Sequence, residues 1–183
     1  FNTMQAYPEK ELRRGLARVA LPRSVRLQLY YCWAQMRHHE GRWDEAGDIA
    51  AALLDLEAPA LMPMRSRLLL ILTESRLQRQ HWWDAYHALA ELHSMALPIP
   101  EAVSRLMLQT RYEHTQGQFV HMLRALNEKL ALCEVMAAPQ CAQLHALLAN
   151  AAGHAGQPRL AEWLQQRADL LGFTPPASAS ADA

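Results

Sequence analysis

The chain has 183 residues, 51% of them apolar, with seven glycines and a formal net charge of zero. This length supports one ordinary domain with a real core, and the charge balance excludes a whole-molecule attraction to nucleic acid. Leu and Ala dominate while β-branched residues are few, which favours helix and disfavours sheet.

The first predicted helix opens at Pro8, with Glu9 and Glu11 near its positive dipole end. It runs to about Val19 and stops before Pro22, so residues 1–22 form a capping helix. Residues 9 to 26 carry Lys10, Arg13, Arg14, Arg18, Arg23 and Arg26 against two acids. Such a basic start suits an anionic lipid surface or an acidic partner, or else is the solvated face of an end helix. Further helices are predicted at 23–40, 43–57, 64–80, 83–96, 101–116, 119–136, 140–154 and 158–171. Prolines end each pair: Pro59 and Pro63, Pro98 and Pro100, Pro139, then Pro175 and Pro176. The Pro/Ala/Ser-rich tail, 173–183, is predicted to be disordered. No linker divides the region 23–172.

The three cysteines, Cys32, Cys133 and Cys141, lack CxxC spacing and sit among apolar neighbours. They suggest free core thiols in a reducing compartment. No apolar run approaches the length of a membrane span. The sequence opens at Phe1 rather than Met, so a preceding segment is expected, and a signal or membrane anchor there is left open.

A short motif recurs along the chain. It reads Glu40-Gly41-Arg42-Trp43-Asp44-Glu45-Ala46, then Gln80-His81-Trp82-Trp83-Asp84-Ala85-Tyr86, then Gln116-Gly117-Gln118-Phe119-Val120-His121-Met122, and more weakly Ala155-Gly156-Gln157-Pro158-Arg159-Leu160-Ala161. Trp43, Trp83, Phe119 and Pro158 anchor the copies, with Gly41, Gly117 and Gly156 at the turns and His81 in the glycine's place. Each turn is too short for anything but antiparallel helices, and each anchor ring is expected to wedge between the two helices of its own hairpin. Three residues on come Ala46, Tyr86, Met122 and Ala161. Nine residues earlier come Ala34, Glu74, Thr110 and Ala149.

This pattern resembles the tetratricopeptide repeat family, most clearly in Gly41-Arg42-Trp43-Asp44-Glu45-Ala46. The resemblance covers residues 23–172 as four units, about 23–60, 61–99, 100–138 and 139–172. Glu74, Tyr86, Met122 and Pro158 depart from the family's rows. It implies an all-α, right-handed superhelical stack of about four antiparallel hairpins behind an extra N-terminal helix. It also implies a concave groove lined by the first helix of each hairpin. By offset, those residues are Tyr31, Gln35 and His38; Ile71, Ser75, Gln78 and Arg79; Met107, Arg111 and His114; and Asn150 with His154. The mixed surface suits an extended or helical peptide of some acidic character. Ile71 and Met107 are equally consistent with packing against the next hairpin. The carboxylate-clamp pattern of the family is not met, since Gln35, Ser75 and Arg111 stand where asparagine would.

No catalytic or cofactor motif is found. HExxH, GxGxxG, P-loop and GxSxG patterns are absent, and the nine histidines show no zinc spacing. Cys141 and His145 share a helix face, with no third orienting group beside them. Tyr30-Tyr31 and Trp82-Trp83 read as packing aromatics rather than base-stacking ones. The expected protein is therefore a non-catalytic, cofactor-free scaffold that binds another protein and no nucleic acid, with self-association left open. The basic first helix and the start at Phe1 suggest the cytoplasmic part of a membrane-tethered subunit, and analogy with similar repeat domains suggests a bacterial envelope or polysaccharide-export assembly. The alternative is the effector-binding helical-repeat domain of a transcription regulator.

Overall fold

The computed structural model describes residues 9–17 and 21–172, and every regular element among them is helical. In order these are α1 (Glu9–Leu16), α2 (Arg23–His39), α3 (Trp43–Asp55), α4 (Arg65–Gln78), α5 (Trp82–Ser94), α6 (Ile99–Thr115), α7 (Phe119–Met122), α8 (Leu126–Ala131), α9 (Ala138–His154) and α10 (Pro158–Leu170). Two 3-10 turns, Pro59–Met64 and Leu132–Val135, lead into α4 and follow α8. The readings of residues 1–8, 18–20 and 173–183 lie outside the described residues. Among the described residues no helix is long and apolar enough to cross a membrane.

The chain forms two compact units, Phe1–Glu101 and Ala102–Ala183. Their boundary falls inside the continuous helix α6, not in a linker, so composition carries no sign of it. In the first unit α2, α3, α4 and α5 pack each on the next, around Leu27, Tyr31, Ala34, Leu53, Leu68 and Ile71. Leu12 of α1 is buried, and α1 packs on α2. In the second unit α9 pairs with α10 and α7 lies on α9, closing a core around Leu106, Met122, Leu144, Leu148 and Leu164.

Four turns, after α2, α4, α6 and α9, share one hydrogen-bond pattern. The amides of Arg42, His81, Gln118 and Gln157 donate to the carbonyls of Arg37, Arg76, Glu113 and Ala152, each at 2.9 Å. The residue before each donor is left-handed: Gly41 (φ 72°), Gln80 (φ 59°), Gly117 (φ 66°) and Gly156 (φ 71°). This is the Schellman ending, in which a left-handed residue lets the next amide reach back to the helix.

The second turn corrects the sequence reading by one residue. Gln80, not His81, takes glycine's place, so Trp82 rather than Trp83 follows the turn as the anchor. The buried small residue is then Ala85, whereas Tyr86 is exposed. The earlier row shifts with it. Ala34, Thr73, Thr110 and Ala149 are all buried, and Glu74 no longer breaks that row. Thr73 fits because its hydroxyl donates to the Leu69 carbonyl at 2.7 Å.

The same register carries a polar link across three of the turns. Arg37 Nε meets Glu45 Oε2 at 3.0 Å, Arg76 Nε meets Asp84 Oδ2 at 3.9 Å, and Glu113 Oε1 meets His121 Nδ1 at 2.7 Å with the acid and base exchanged. In each case the residue whose carbonyl closes the turn also supplies the side chain. Arg37 is only 1% exposed, and it also pairs with Glu40 at 2.8 Å.

A single helix over 119–136 is not formed. It breaks at Ala125, which is left-handed (φ 50°), although the segment holds neither glycine nor proline. The break is compensated from outside the segment's local preferences. Lys129 Nζ donates to the Met122 carbonyl at 2.7 Å and lies 3.7 Å from the buried Glu113 carboxylate, which His121 also reaches.

Left-handed backbone costs a non-glycine residue about 1–2 kcal/mol. Gln80→Gly should therefore stabilise the chain by about 1 kcal/mol in urea denaturation, and Gly41→Ala should destabilise it by a similar amount. A Cβ on Gly47 would lie 2.9 Å from Ser75 Cβ. Gly47→Ala is therefore expected to cost about 1–3 kcal/mol by overpacking α3 on α4, with partial recovery on adding Ser75→Gly.

Candidate protein-binding surface

The residues expected to line a groove separate into three groups. Tyr31, Ile71, Ser75 and Met107 are buried and present no face to a partner. Ile71 belongs to the core of the first unit and Met107 to that of the second. Ser75 sits at the close approach to Gly47, because the one-residue register shift turns it inward and puts Glu74 at the outer position. Tyr31 belongs to a polar chain. Gln35 Nε2 donates to its hydroxyl at 2.7 Å, Arg67 also hydrogen-bonds it, and Arg67 Nε donates to Glu101 Oε1 at 2.9 Å. Burial raises the Tyr31 phenol's pKa, against the opposing pull of Arg67. The bond to Glu101 is the first cause raising the pKa of Arg67.

Arg79 stands apart from the rest. It caps the end of α4 and points at α3, with Nε 2.7 Å from Asp44 Oδ1 and Nη1 3.5 Å from Asp48 Oδ1.

The remaining positions keep some exposure: Gln35, His38, Arg111 and His114 are half-buried, and Gln78, Asn150 and His154 are exposed. Two of them meet polar partners in the same way within each unit. His38 Nε2 lies 2.9 Å from Glu74 Oε2, and His114 Nε2 lies 3.0 Å from Asn150 Oδ1. Each imidazole also meets its own turn's anchor ring edge-on, His38 on Trp43 at 5.2 Å and His114 on Phe119 at 5.9 Å. His154 stacks on Phe119 at 4.2 Å. These histidines thus hold anchor ring and neighbouring helix together.

Two features escaped the sequence reading. Trp83, expected to wedge between helices, is 72% exposed, and Tyr86 is 49% exposed. With the exposed His87 they form an aromatic cluster on α5. The centroid distance is 4.6 Å for Trp83–His87 and 6.4 Å for Trp83–Tyr86. Ala90, one turn on, is also exposed, so 83, 86, 87 and 90 make one helical stripe. The double tryptophan was the available signal, since two adjacent rings on a helix cannot both face the same core.

The second feature is a sulfur and nitrogen cluster. Cys141 Sγ lies 3.5 Å from His145 Nδ1, and Cys133 joins them so that all three ligand atoms fall within 4.8 Å of one another. The sequence expectation of no Cys/His cluster missed it because Cys133 arrives from the 3-10 turn beyond the break at Ala125. Burial, and secondarily the neighbouring Cys141, pushes the Cys133 thiol up to about 12.

The raised Tyr31 pKa has a sign that can be tested. The ordinary phenol value is 10.0. Above that pH the unfolded chain releases the phenolic proton while the folded chain still holds it. Stability therefore falls as pH rises through this value and goes on falling until the folded phenol itself ionises. Tyr31→Phe should make that alkaline fall shallower in denaturation curves taken between neutral and alkaline pH. At neutral pH it should cost about 1 kcal/mol for the hydrogen bonds lost by Gln35 and Arg67.

No protein-family model and no curated protein matches the chain. Among solved structures it is similar to the crystal structure of BtubC (BKLC) from P. vanneervenii, with a TM-score of 0.51 and 14% identity over 95% of this chain and 76% of that one. At this identity the likeness bears on the fold alone.

Proposed function

We propose that the four turn-linked helix pairs are tetratricopeptide-like repeats, and that the chain is a non-catalytic module that binds a helix of another protein along α5. The observation that carries this reading is the exposed stripe of Trp83, Tyr86, His87 and Ala90. Tryptophan and tyrosine are enriched where protein interfaces concentrate their binding energy. A large indole in water is unfavourable unless a partner covers it. Stripe positions at i, i+3, i+4 and i+7 match the spacing with which one helix packs against another.

The polar positions at Gln35, Arg111, Asn150 and their neighbours are secondary contacts in this reading, since several already bond to adjacent helices. The role belongs to a larger bacterial assembly in the cytoplasm. Its basic residues between 9 and 26 suit attachment at an anionic surface.

The test is affinity capture of partners from the native cell extract with the wild-type chain, with Trp83→Ala/Tyr86→Ala, and with Arg111→Glu. The double variant should lose the co-purifying protein, a drop of at least tenfold, while its helical circular dichroism and melting temperature stay unchanged. Arg111→Glu should reduce capture far less. Loss on Arg111→Glu with full capture by the aromatic variant would move binding to the groove positions. If no protein is captured but a metabolite raises the melting temperature, an effector-binding role replaces this one.

A further inference from the structure

We propose that Cys133, Cys141 and His145 form a binding site for Zn²⁺, tetrahedral, with its fourth position open to solvent in the adjoining cavity. The donor set is the first argument. Two thiolates and one imidazole are the ligands that Zn²⁺ takes in protein sites. Geometry is the second. Zn–S bonds of about 2.3 Å and a Zn–N bond of about 2.0–2.1 Å meeting at tetrahedral angles hold S and N roughly 3.5 Å apart. Cys141 Sγ and His145 Nδ1 are 3.5 Å apart, held there by their four-residue spacing on α9. No ligand pair is separated by more than 4.8 Å, so closing the triangle asks for a shift of about 1 Å at most, taking a tetrahedral S···S edge of about 3.8 Å.

Access is the third argument. The three residues border a cavity of about 430 Å³, which Glu134, Trp163 and Arg167 also line. A ternary site with an opening on this scale keeps one position for water. The broken helix gains a reason here as well. Cys133 reaches the α9 ligands from the 3-10 turn Leu132–Val135, beyond the break at Ala125.

Binding forms two S–Zn bonds and one N–Zn bond and releases two thiol protons to solvent. His145 Nδ1, now 2.8 Å from the Cys141 carbonyl, exchanges that contact for the metal, and the ring proton moves to Nε2. Because both thiol protons must leave for the metal to bind, affinity rises with pH.

The experiment uses the full chain, reduced and stripped by chelator, titrated with Co²⁺ as a spectroscopic probe and then with Zn²⁺. One equivalent of Co²⁺ should give thiolate charge-transfer and tetrahedral d–d bands that one equivalent of Zn²⁺ bleaches. Cys133→Ser and Cys141→Ser should each abolish the bands. His145→Gln should weaken binding at least tenfold, and Cys32→Ser should change nothing. Alkylation mapped by mass spectrometry on the wild-type chain keeps the test independent of variant folding. Zn²⁺ should protect Cys133 and Cys141 and leave Cys32 unaffected. The proposal is overturned if the reduced wild-type chain gives no bands at one equivalent, if the bands survive either serine substitution, or if Zn²⁺ leaves the alkylation pattern unchanged. A reduced chain that binds no metal and instead oxidises to a Cys133–Cys141 disulfide overturns it equally.

Discussion

Each helix pair depends on where its left-handed residue falls. A Schellman turn admits one residue at positive φ, and the next amide must reach the carbonyl five residues back. Once that residue is set, the following helix starts at a fixed phase, and the phase decides which side chains meet the preceding helix. Gly41, Gln80, Gly117 and Gly156 occupy this position. From them follow the buried small residues at Ala34, Thr73, Thr110 and Ala149, the buried row at Ala46, Ala85 and Met122, and the polar links across the turns at Arg37, Arg76 and Glu113. At Gln80 the left-handed backbone is held by a residue that gains nothing locally from it. The packing of Ala85 and Thr73 between helices offsets the strain.

Much of this was legible in the residues alone. Helical class, element number up to α6 and most helix ends within two residues follow from composition, proline placement and the turn motif. The second copy was misaligned because it lacks glycine. Local preference, which favours histidine over glutamine at positive φ, points to His81, and the observed left-handed Gln80 follows from tertiary packing. That single slip carried Trp83 inward, Ser75 outward and Glu74 into a row of small residues. The break at Ala125 was invisible for a related reason. Its compensation lies in Lys129 and His121 reaching a buried acid on α6, a contact that no local pattern reports. Cys141 with His145 was visible as a pair, but Cys133 was not, because a straight helix would not deliver it there.

The polar side chains of the first helices divide between structure and surface. His38 and His114 join anchor ring to neighbouring helix, Arg79 serves the acids of α3, and Tyr31 is sealed in a hydrogen-bonded chain with Gln35, Arg67 and Glu101. Trp83, the most exposed large apolar side chain of the first unit among the described residues, lies instead on α5 beside the exposed Tyr86. A surface assigned by family offset alone would have sought the partner on residues that already have structural work. On the proposed function, affinity would reside instead in the indole and phenol that the one-residue shift turns outward.

That shift is the central claim, and nuclear magnetic resonance tests it most directly. The measurement is the backbone φ at residues 80 and 81, from three-bond amide–Hα couplings and intraresidue Hα–nitrogen couplings, together with exchange protection of the next amides. The account predicts positive φ at Gln80, ordinary helical or extended φ at His81, and a protected His81 amide bonded to the Arg76 carbonyl. Positive φ at His81 with protection moved to the Trp82 amide would contradict it, returning Trp83 to the core and removing the α5 stripe.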